Sequence, residues 1–165
     1  MSENEKQLVA LNAMVIDDSR VMRNMVMQTL QQAEIAEFTF TESGSGSEAI
    51  GKFDSDTIDI IFVDWNMPGM NGIEFAREVR AMSWANHIPI VMITSETSSE
   101  KQQNAYDKAR ITCYVTKPFT VDEIREKVSP VVEEIIKKRQ KSTTAAKPAP
   151  TPVKQGGGFF SKLLG

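Results

Sequence analysis

The segment 58-IDIIFVDWNMPG-69 decides the fold class of this 165-residue chain. Residues 58–63 are nearly all apolar, which predicts a strand that is buried on both of its faces. The turn-forming residues 64–69 follow directly, so we expect the strand to end there in a loop. A strand covered on two faces is typical of a parallel sheet that carries helices on both sides.

Four further strand and helix pairs surround this segment. Strands are predicted at 13–16, 38–41, 89–93 and 112–116, and helices at 20–33, up to 53, at 72–82, up to about 109, and after a Thr120/Glu123 capping box. Pro130 is expected to kink the last helix. In the first helix a single core face is predicted, with Val21, Met22, Met25, Val26 and Leu30. Five such units predict an α/β fold with a doubly wound, five-stranded parallel sheet.

Composition and charge narrow the class of partner. The chain is 41% hydrophobic and 25% charged, as in soluble globular proteins. Five basic residues and no acidic residue follow residue 138. Residues 1–138 therefore hold 22 acids and 14 bases, a net charge of −8. A body this acidic is a poor binder of nucleic acid, because phosphate contacts need clustered Lys and Arg.

Location can also be predicted from the sequence. No apolar run approaches the roughly 20 residues that a membrane span needs. The first residues lack the pattern of a secretory signal, and the single Cys113 cannot form an internal disulfide. We therefore expect a cytoplasmic protein in a reducing compartment.

Polar side chains follow four of the five predicted strands. They are Asp17 and Asp18 after the first strand, Asp64 after the third, Thr94 and Ser95 after the fourth, and Lys117 after the fifth. Because the carboxyl ends of parallel strands meet at one edge of a sheet, we expect these groups to share one cleft. The alternative is that each has only a local role, with Asp18 or Ser19 capping a helix and the others forming turns.

Such a set of groups suits phosphoryl transfer. Neighbouring carboxylates repel one another unless a cation or a proton intervenes, and oxygen ligands with no His or Cys nearby favour Mg²⁺. A carboxylate can then attack phosphorus while Mg²⁺ and a Lys neutralise the phosphoryl oxygens. The chain has neither a P-loop motif nor G-x-G-x-x-G, and so lacks the usual loops that hold a nucleotide.

The motifs at the strand ends resemble those of the receiver domains of two-component response regulators, especially single-domain chemotaxis receivers. The resemblance covers about residues 12–138. It is carried by 15-VIDDS-19, 64-DWNMP-68, Gly72, 94-TSE-96, and Tyr114 with 117-KPF-119. It implies a flavodoxin-like (βα)5 fold with the strand order 2-1-3-4-5.

The resemblance also implies a role for each matched residue. Asp64 would be the phosphoacceptor. Mg²⁺ would be held by Asp17, Asp18, Asp64 and the backbone carbonyl of Asn66. Lys117, in a cis peptide bond with Pro118, and the hydroxyl residues Thr94 and Ser95 would contact the phosphoryl group, and Thr94 and Tyr114 would form a switch pair. Asn66 and Glu96 would tune hydrolysis of the phosphoaspartate.

The function implied is that of a phosphorylation-activated, single-domain response regulator in chemotaxis or motility. A histidine kinase of the chemotaxis type would supply the phosphoryl group, and the output would be contact with a flagellar motor switch or another motility protein. The protein would not be an enzyme beyond its own phosphotransfer and autodephosphorylation. Two alternatives stay open: a phosphate sink without an output target, and an aspartyl-phosphate phosphohydrolase. The latter favours D-x-D after the first strand, whereas Asp17 and Asp18 are adjacent.

The ends of the chain differ from the body. We expect an N-terminal extension at 1–11, the receiver domain at 12–138, and a disordered linker rich in Lys, Thr, Ala and Pro at 139–155. Residues 156–165 are predicted to be a short amphipathic docking peptide, with Phe159, Phe160, Leu163 and Leu164 on one face. The tail carries few bases, so a protein is favoured over a membrane as its partner; the alternative is a frayed end with incidental apolar residues.

Overall fold

The computed structural model describes residues 7–145, and within them a five-stranded parallel sheet in the order β2-β1-β3-β4-β5. The predicted α/β class and strand order are both confirmed. The strands are β1 (Ala10–Ile16), β2 (Glu37–Ser43), β3 (Ile60–Val63), β4 (Ile90–Thr94) and β5 (Cys113–Thr116).

The helices begin where side chains cap their first turns. They are α1 (Arg20–Ala33), α2 (Gly46–Lys52), α3 (Gly72–Ala81), α4 (Ser99–Ala109) and α5 (Val121–Ala145), with a short 3₁₀ helix at Ser83–Ala85. The side chains of Ser19, Ser45, Asn71 and Ser98 accept backbone N–H bonds at the starts of α1 to α4. The predicted capping box of α5 is also present: Thr120 Oγ1 accepts from Glu123 N, and Glu123 Oε1 accepts from Thr120 N. Among the described residues, none of the helices has both the length and the apolarity that crossing a bilayer requires.

The sheet is covered on both faces, as the apolar segment 58–63 indicated. All four residues of β3 are buried. One face joins alternate strand residues to α2, α3 and α4 in a single apolar cluster that includes Ile61, Phe75 and Ala105. On the other face Val26 of α1 lines a small cavity together with Val15 and Phe62 of the sheet. Burial on both sides fixes the positions of the strand ends, from which the polar residues emerge.

The first helix is turned relative to the predicted core face. Val21 is 71% exposed and Met25 is 46% exposed, whereas Val26 and Leu30 are buried. Successive residues of a helix differ by about 100°, so the pairs 21/25 and 26/30 lie on different stripes of the same helix. The buried stripe takes in Thr29 instead, whose hydroxyl donates to the carbonyl of Met25 at 2.7 Å.

Helix α5 continues past residue 138, so the prediction of a disordered linker from residue 139 is wrong for residues 139–145. Arg, Gln, Lys and Ala in this stretch are good helix formers, and the first proline after Pro130 is Pro148. The remaining linker residues and the whole predicted docking peptide, including Phe159, Phe160, Leu163 and Leu164, lie outside the described residues. By packing, the chain divides within α5 into one compact unit that ends at Glu133 and another that begins at Glu134.

Near the amino-terminal end of β4, Arg80 joins the end of α3 to the segments that precede β4 and follow α4. Its guanidinium donates to the carbonyl of Arg110, which follows α4, at 3.0 Å, and to the carbonyl of Ile88, before β4, at 2.8 Å. Arg110 donates in return to the carbonyl of Arg80 at 3.3 Å. Burial, and then the charge of Arg110, lower the pKa of Arg80 to about 10. The last residues of α3 and α4 are therefore tied together.

Candidate functional site

Three carboxylates meet at the carboxyl ends of β1 and β3. In the parallel register Ile16 lies beside Val63, so Asp17 and Asp64 follow as neighbours. One carboxylate oxygen from each of Asp17, Asp18 and Asp64 lies within 4.8 Å of the others. Asp17 and Asp64 are buried and Asp18 is exposed. The structure thus brings together the three carboxylates that the sequence placed at one sheet edge.

The alternative of a purely local role is resolved for Asp18 and Ser19. Ser19 caps α1, since its hydroxyl accepts the N–H of Met22 at 3.2 Å. Its own N–H donates to Asp17 Oδ1 at 2.9 Å. The cap is therefore made without the carboxylate of Asp18, which stands at the mouth of the cluster.

Lys117 supplies the positive charge of the site. Its Nζ lies 2.9 Å from Asp17 Oδ2 and 3.3 Å from Asp64 Oδ2. The Lys117 backbone N–H donates to the Thr94 carbonyl at 2.8 Å, and the Lys117–Pro118 peptide bond is cis, as the resemblance implied. One ammonium thus faces two buried carboxylates of the cluster.

The second oxygen of Asp64 has an unusual environment. Asp64 Oδ1 is buried and has no hydrogen-bond partner among the described residues. Leaving a buried charged acceptor unpaired is costly, so native proteins rarely do so without a functional reason. An uncompensated oxygen in a cluster of hard carboxylate ligands fits a divalent cation or a covalent acceptor role. The cluster can therefore hold a metal ion.

The backbone of Asp64 is held by a close approach of α3. A Cβ on Gly72 would overlap the Asp64 carbonyl oxygen and would lie 2.9 Å from the Asp64 carbonyl carbon. The N–H of Gly72 donates to the carbonyl of Trp65 at 2.9 Å. The sequence marked Gly72 only as part of a motif; the structure shows that it is the residue that lets α3 pack on the phosphoacceptor candidate.

Thr94 and Tyr114 both bind the backbone of Glu96. Buried Thr94 accepts the Glu96 N–H on Oγ1 at 3.4 Å, and the Tyr114 hydroxyl donates to the Glu96 carbonyl at 2.7 Å. Burial, followed by the charges of Glu96 and Asp64, raises the pKa of Tyr114 to about 12, so the phenol stays a donor at neutral pH. The two predicted switch residues are therefore linked through one backbone position. Ser95, between Thr94 and Glu96, is exposed.

The side chain of Glu96 connects two loops. Asn66 Nδ2 donates to Glu96 Oε2 at 2.9 Å, and Lys101 Nζ donates to Glu96 Oε1 at 3.0 Å. These bonds, Asn66 first, lower the pKa of Glu96. Lys101 also lies 5.6 Å from the centre of the Trp65 ring. Sequence reasoning placed Asn66 and Glu96 at the site but missed Lys101, because no motif marks a lysine in the first turns of α4.

Arg23 is a second residue that sequence reasoning missed. Its guanidinium donates to the carbonyl of Asp17 at 2.7 Å and pairs with Glu42 at 2.9 Å. The contact fixes the backbone of Asp17 from α1. A basic residue four positions after the N-cap was the only signal, and it is too common to single out.

This geometry, five parallel strands with an acidic cluster, a lysine and a hydroxyl at their carboxyl ends, agrees with the comparisons with known proteins. Residues 13–129 match the family described as the response regulator receiver domain. The chain belongs to this family.

Chemotaxis proteins are among its similar relatives. The chemotaxis protein CheY of Pseudomonas aeruginosa is 33% identical over 126 residues, which are 76% of this chain and 98% of the relative. CheY1 of Helicobacter pylori is 35% identical over 123 residues, 74% of this chain and 97% of the relative. The solved structure of the chemotaxis response regulator CheY4 of Vibrio cholerae has 33% identity and a TM-score of 0.60, and covers 81% of this chain and 98% of its own. The prediction of a response regulator receiver with relatives in chemotaxis is thereby confirmed.

Proposed function

We propose that this protein is a phosphorylation-controlled response regulator of chemotaxis or another motility pathway, in which Asp64 accepts a phosphoryl group from a histidine kinase. One observation carries the proposal: the buried Asp64 Oδ1 has no partner among the described residues, while Oδ2 of the same carboxylate faces Lys117. A nucleophilic oxygen needs a lone pair that is available to the reacting phosphorus, and no hydrogen bond from the described residues occupies Oδ1. The names of the similar chemotaxis proteins support the pathway.

The transfer follows from these positions. Asp64 Oδ1 forms a bond to phosphorus as the bond from phosphorus to the donor's imidazole nitrogen breaks, and the released imidazole takes up a proton. Lys117 Nζ, already within 3.3 Å of Asp64, neutralises charge on the transferred oxygens. The residues that would hold Mg²⁺ are Asp17, Asp18, Asp64 and, by resemblance, the backbone carbonyl of Asn66. When bound, Mg²⁺ offsets the negative charge of the carboxylates and of the phosphoryl group.

Signalling is assigned to the pair that binds Glu96. A Thr94 hydroxyl that moves toward a phosphoryl oxygen loosens its bond to the Glu96 N–H. Tyr114 holds the carbonyl of the same residue, so the loop between β4 and α4 responds as a unit. The surface formed by α4, β5 and α5 then presents a changed contact to a partner, for which a flagellar motor switch or another motility protein is the candidate.

In this role the protein is a regulator that acts in the cytoplasm and does not turn over separate substrates. A phosphate sink shares the same chemistry but lacks a target whose affinity depends on phosphorylation. An aspartyl-phosphate phosphohydrolase instead turns over small phosphomonoesters. Binding assays with candidate motility proteins and a phosphomonoester turnover assay separate the three.

The direct test is Asp64→Asn. The near-isosteric amide keeps the fold and reduces carboxylate repulsion, but it removes the nucleophile. After incubation with acetyl phosphate and Mg²⁺, intact-protein mass spectrometry is expected to show one phosphoryl group on the wild type and none on Asp64→Asn. Asp107→Asn, the same change at an exposed position of α4, is the matched control and keeps wild-type labelling. Undiminished labelling of Asp64→Asn at an unchanged site contradicts the assignment.

A further inference from the structure

Lys101 ties together the two loops that flank Asp64. Its Nζ donates to Glu96 in the loop after β4 at 3.0 Å, and lies 5.6 Å from the ring of Trp65, the residue that directly follows Asp64. The other oxygen of Glu96 accepts from Asn66, also in the loop after β3. The Glu96 carboxylate is thus held by Asn66 from the loop after β3 and by Lys101 from α4, and the ammonium of Lys101 balances its charge.

The position of this carboxylate matters for any anion that approaches Asp64. Glu96 is bound to Asn66, two residues beyond the phosphoacceptor, and its backbone is bound by Thr94 and Tyr114. Its side chain is 26% exposed, so it faces the solvent from which a phosphoryl donor arrives. Phosphoryl donors are anions, and an unbalanced carboxylate at the approach would repel them. A carboxylate released from Lys101 would also be able to turn away from Asn66.

We propose that Lys101 is a positioning residue for phosphorylation of Asp64: it holds the Glu96 carboxylate against Asn66 and neutralises it, so that an anionic phosphoryl donor can approach. The inference rests on the proposed function, because it concerns the rate of the reaction assigned to Asp64. Lys101 acts through Glu96 and does not itself touch the reacting atoms.

The test compares Lys101→Met with the wild type, Lys101→Arg and Lys108→Met, all as full-length protein. The second-order rate constant for modification by acetyl phosphate is measured in Mg²⁺ by time-resolved mass spectrometry. Lys101→Met is expected to lower it about tenfold, the scale on which local charge changes rates of association with ions. Lys101→Arg keeps the pair and retains most of the rate. Lys108→Met, on the same helix near its end, makes an equal change in net charge and is expected to change the rate less than twofold by screening.

The Glu96→Gln background separates positioning from simple attraction of the donor. If Lys101 acts through Glu96, Lys101→Met in this background has no more effect than Lys108→Met. If Lys101 attracts the donor directly, Lys101→Met lowers the rate equally in both backgrounds, which overturns the inference. A Lys101→Met rate equal to that of the wild type overturns it as well.

Trp65 provides a readout of the contact itself. In a Trp84→Phe background Trp65 is the single tryptophan, and removal of the ammonium from its ring should change its emission in Lys101→Met but not in Lys108→Met. Unchanged emission means that the contact is absent in solution and also overturns the inference. Failure of the proposed function is distinct: in that case the wild type itself is not modified at Asp64 and there is no rate to compare.

Discussion

Replacing Gly72 by Ala perturbs Asp64, the proposed phosphoacceptor, without changing any ionisable group. Gly72 is the first residue of α3, and a Cβ there would overlap the carbonyl oxygen of Asp64 and lie 3.0 Å from the Trp65 Cα. All three close atoms belong to the backbone of residues 64 and 65, so none can rotate away. To reach ordinary contact at about 3.5 Å, the peptide or the helix must move by roughly 1 Å.

Two magnitudes follow from this displacement. Overpacking of this kind costs about 1–3 kcal/mol, and the gain in helix propensity from Gly to Ala, at most about 1 kcal/mol, offsets only part of it. We expect a net loss of about 1–2 kcal/mol in the free energy of unfolding. Misplacing a reacting group by about 1 Å can slow a reaction about 100-fold, so we expect the rate of modification to fall by up to about that factor.

Gly51→Ala is the matched control. A Cβ on Gly51 in α2 meets nothing within 4 Å, so the same substitution should stabilise the protein by up to about 1 kcal/mol and leave Asp64 unaffected. Urea denaturation gives the free energies, and mass spectrometry after acetyl phosphate treatment gives the rates. A Gly72→Ala protein as stable and as readily modified as Gly51→Ala would refute the argument from close approach.

Metal, charge and tail can each be perturbed separately. Millimolar Mg²⁺ should raise the melting temperature, because it relieves repulsion among the three carboxylates. At ten times the dissociation constant, binding adds about 1.4 kcal/mol to the free energy of unfolding. An unchanged melting temperature counts against the site. Lys117→Ala leaves Asp17 and Asp64 without their ammonium, so it should lower stability, enlarge the stabilisation by Mg²⁺, and permit phosphorylation that no longer raises affinity for the target; a normal rise in affinity contradicts the role given to Lys117. Deletion of residues 156–165 should preserve phosphorylation of Asp64 but weaken target binding or localisation, and wild-type behaviour of the truncated protein would show that the tail is no docking segment.

The sequence predicts the elements of the sheet well because their signals are local. Within the apolar run 58–63, residues 60–63 form the strand β3, and all four are buried. The bounds of α1 match because Ser19 caps its start and Glu34 ends it in a left-handed conformation. The order of the strands came from the family resemblance. Pattern alone leaves several right-handed arrangements of five βα units.

What the sequence could not give depends on contacts between distant residues. Periodicity cannot decide which of two neighbouring apolar stripes of α1 is buried, and the structure buries the one with Val26 and Leu30. The pairing of Lys101 with Glu96 depends on the conformation of the loop between β4 and α4, and no sequence pattern predicts that conformation. The acidic cluster, in contrast, was predictable, because strand ends in a parallel sheet must meet at one edge.

The hydrogen bonds between Arg80 and Arg110 fix the C-terminal end of α4, so the helix can tilt about that end. The helix begins near Asp64, the proposed phosphoacceptor, where Lys101 binds Glu96, and its far end is held by Arg80. Over its 11 residues, about 16 Å, a tilt of only about 10° about that anchor displaces the first turn by roughly 3 Å and leaves the last turn in place. The displacement is therefore largest in the first two turns of α4. A partner whose affinity depends on the state of Asp64 through this helix is expected to bind those two turns.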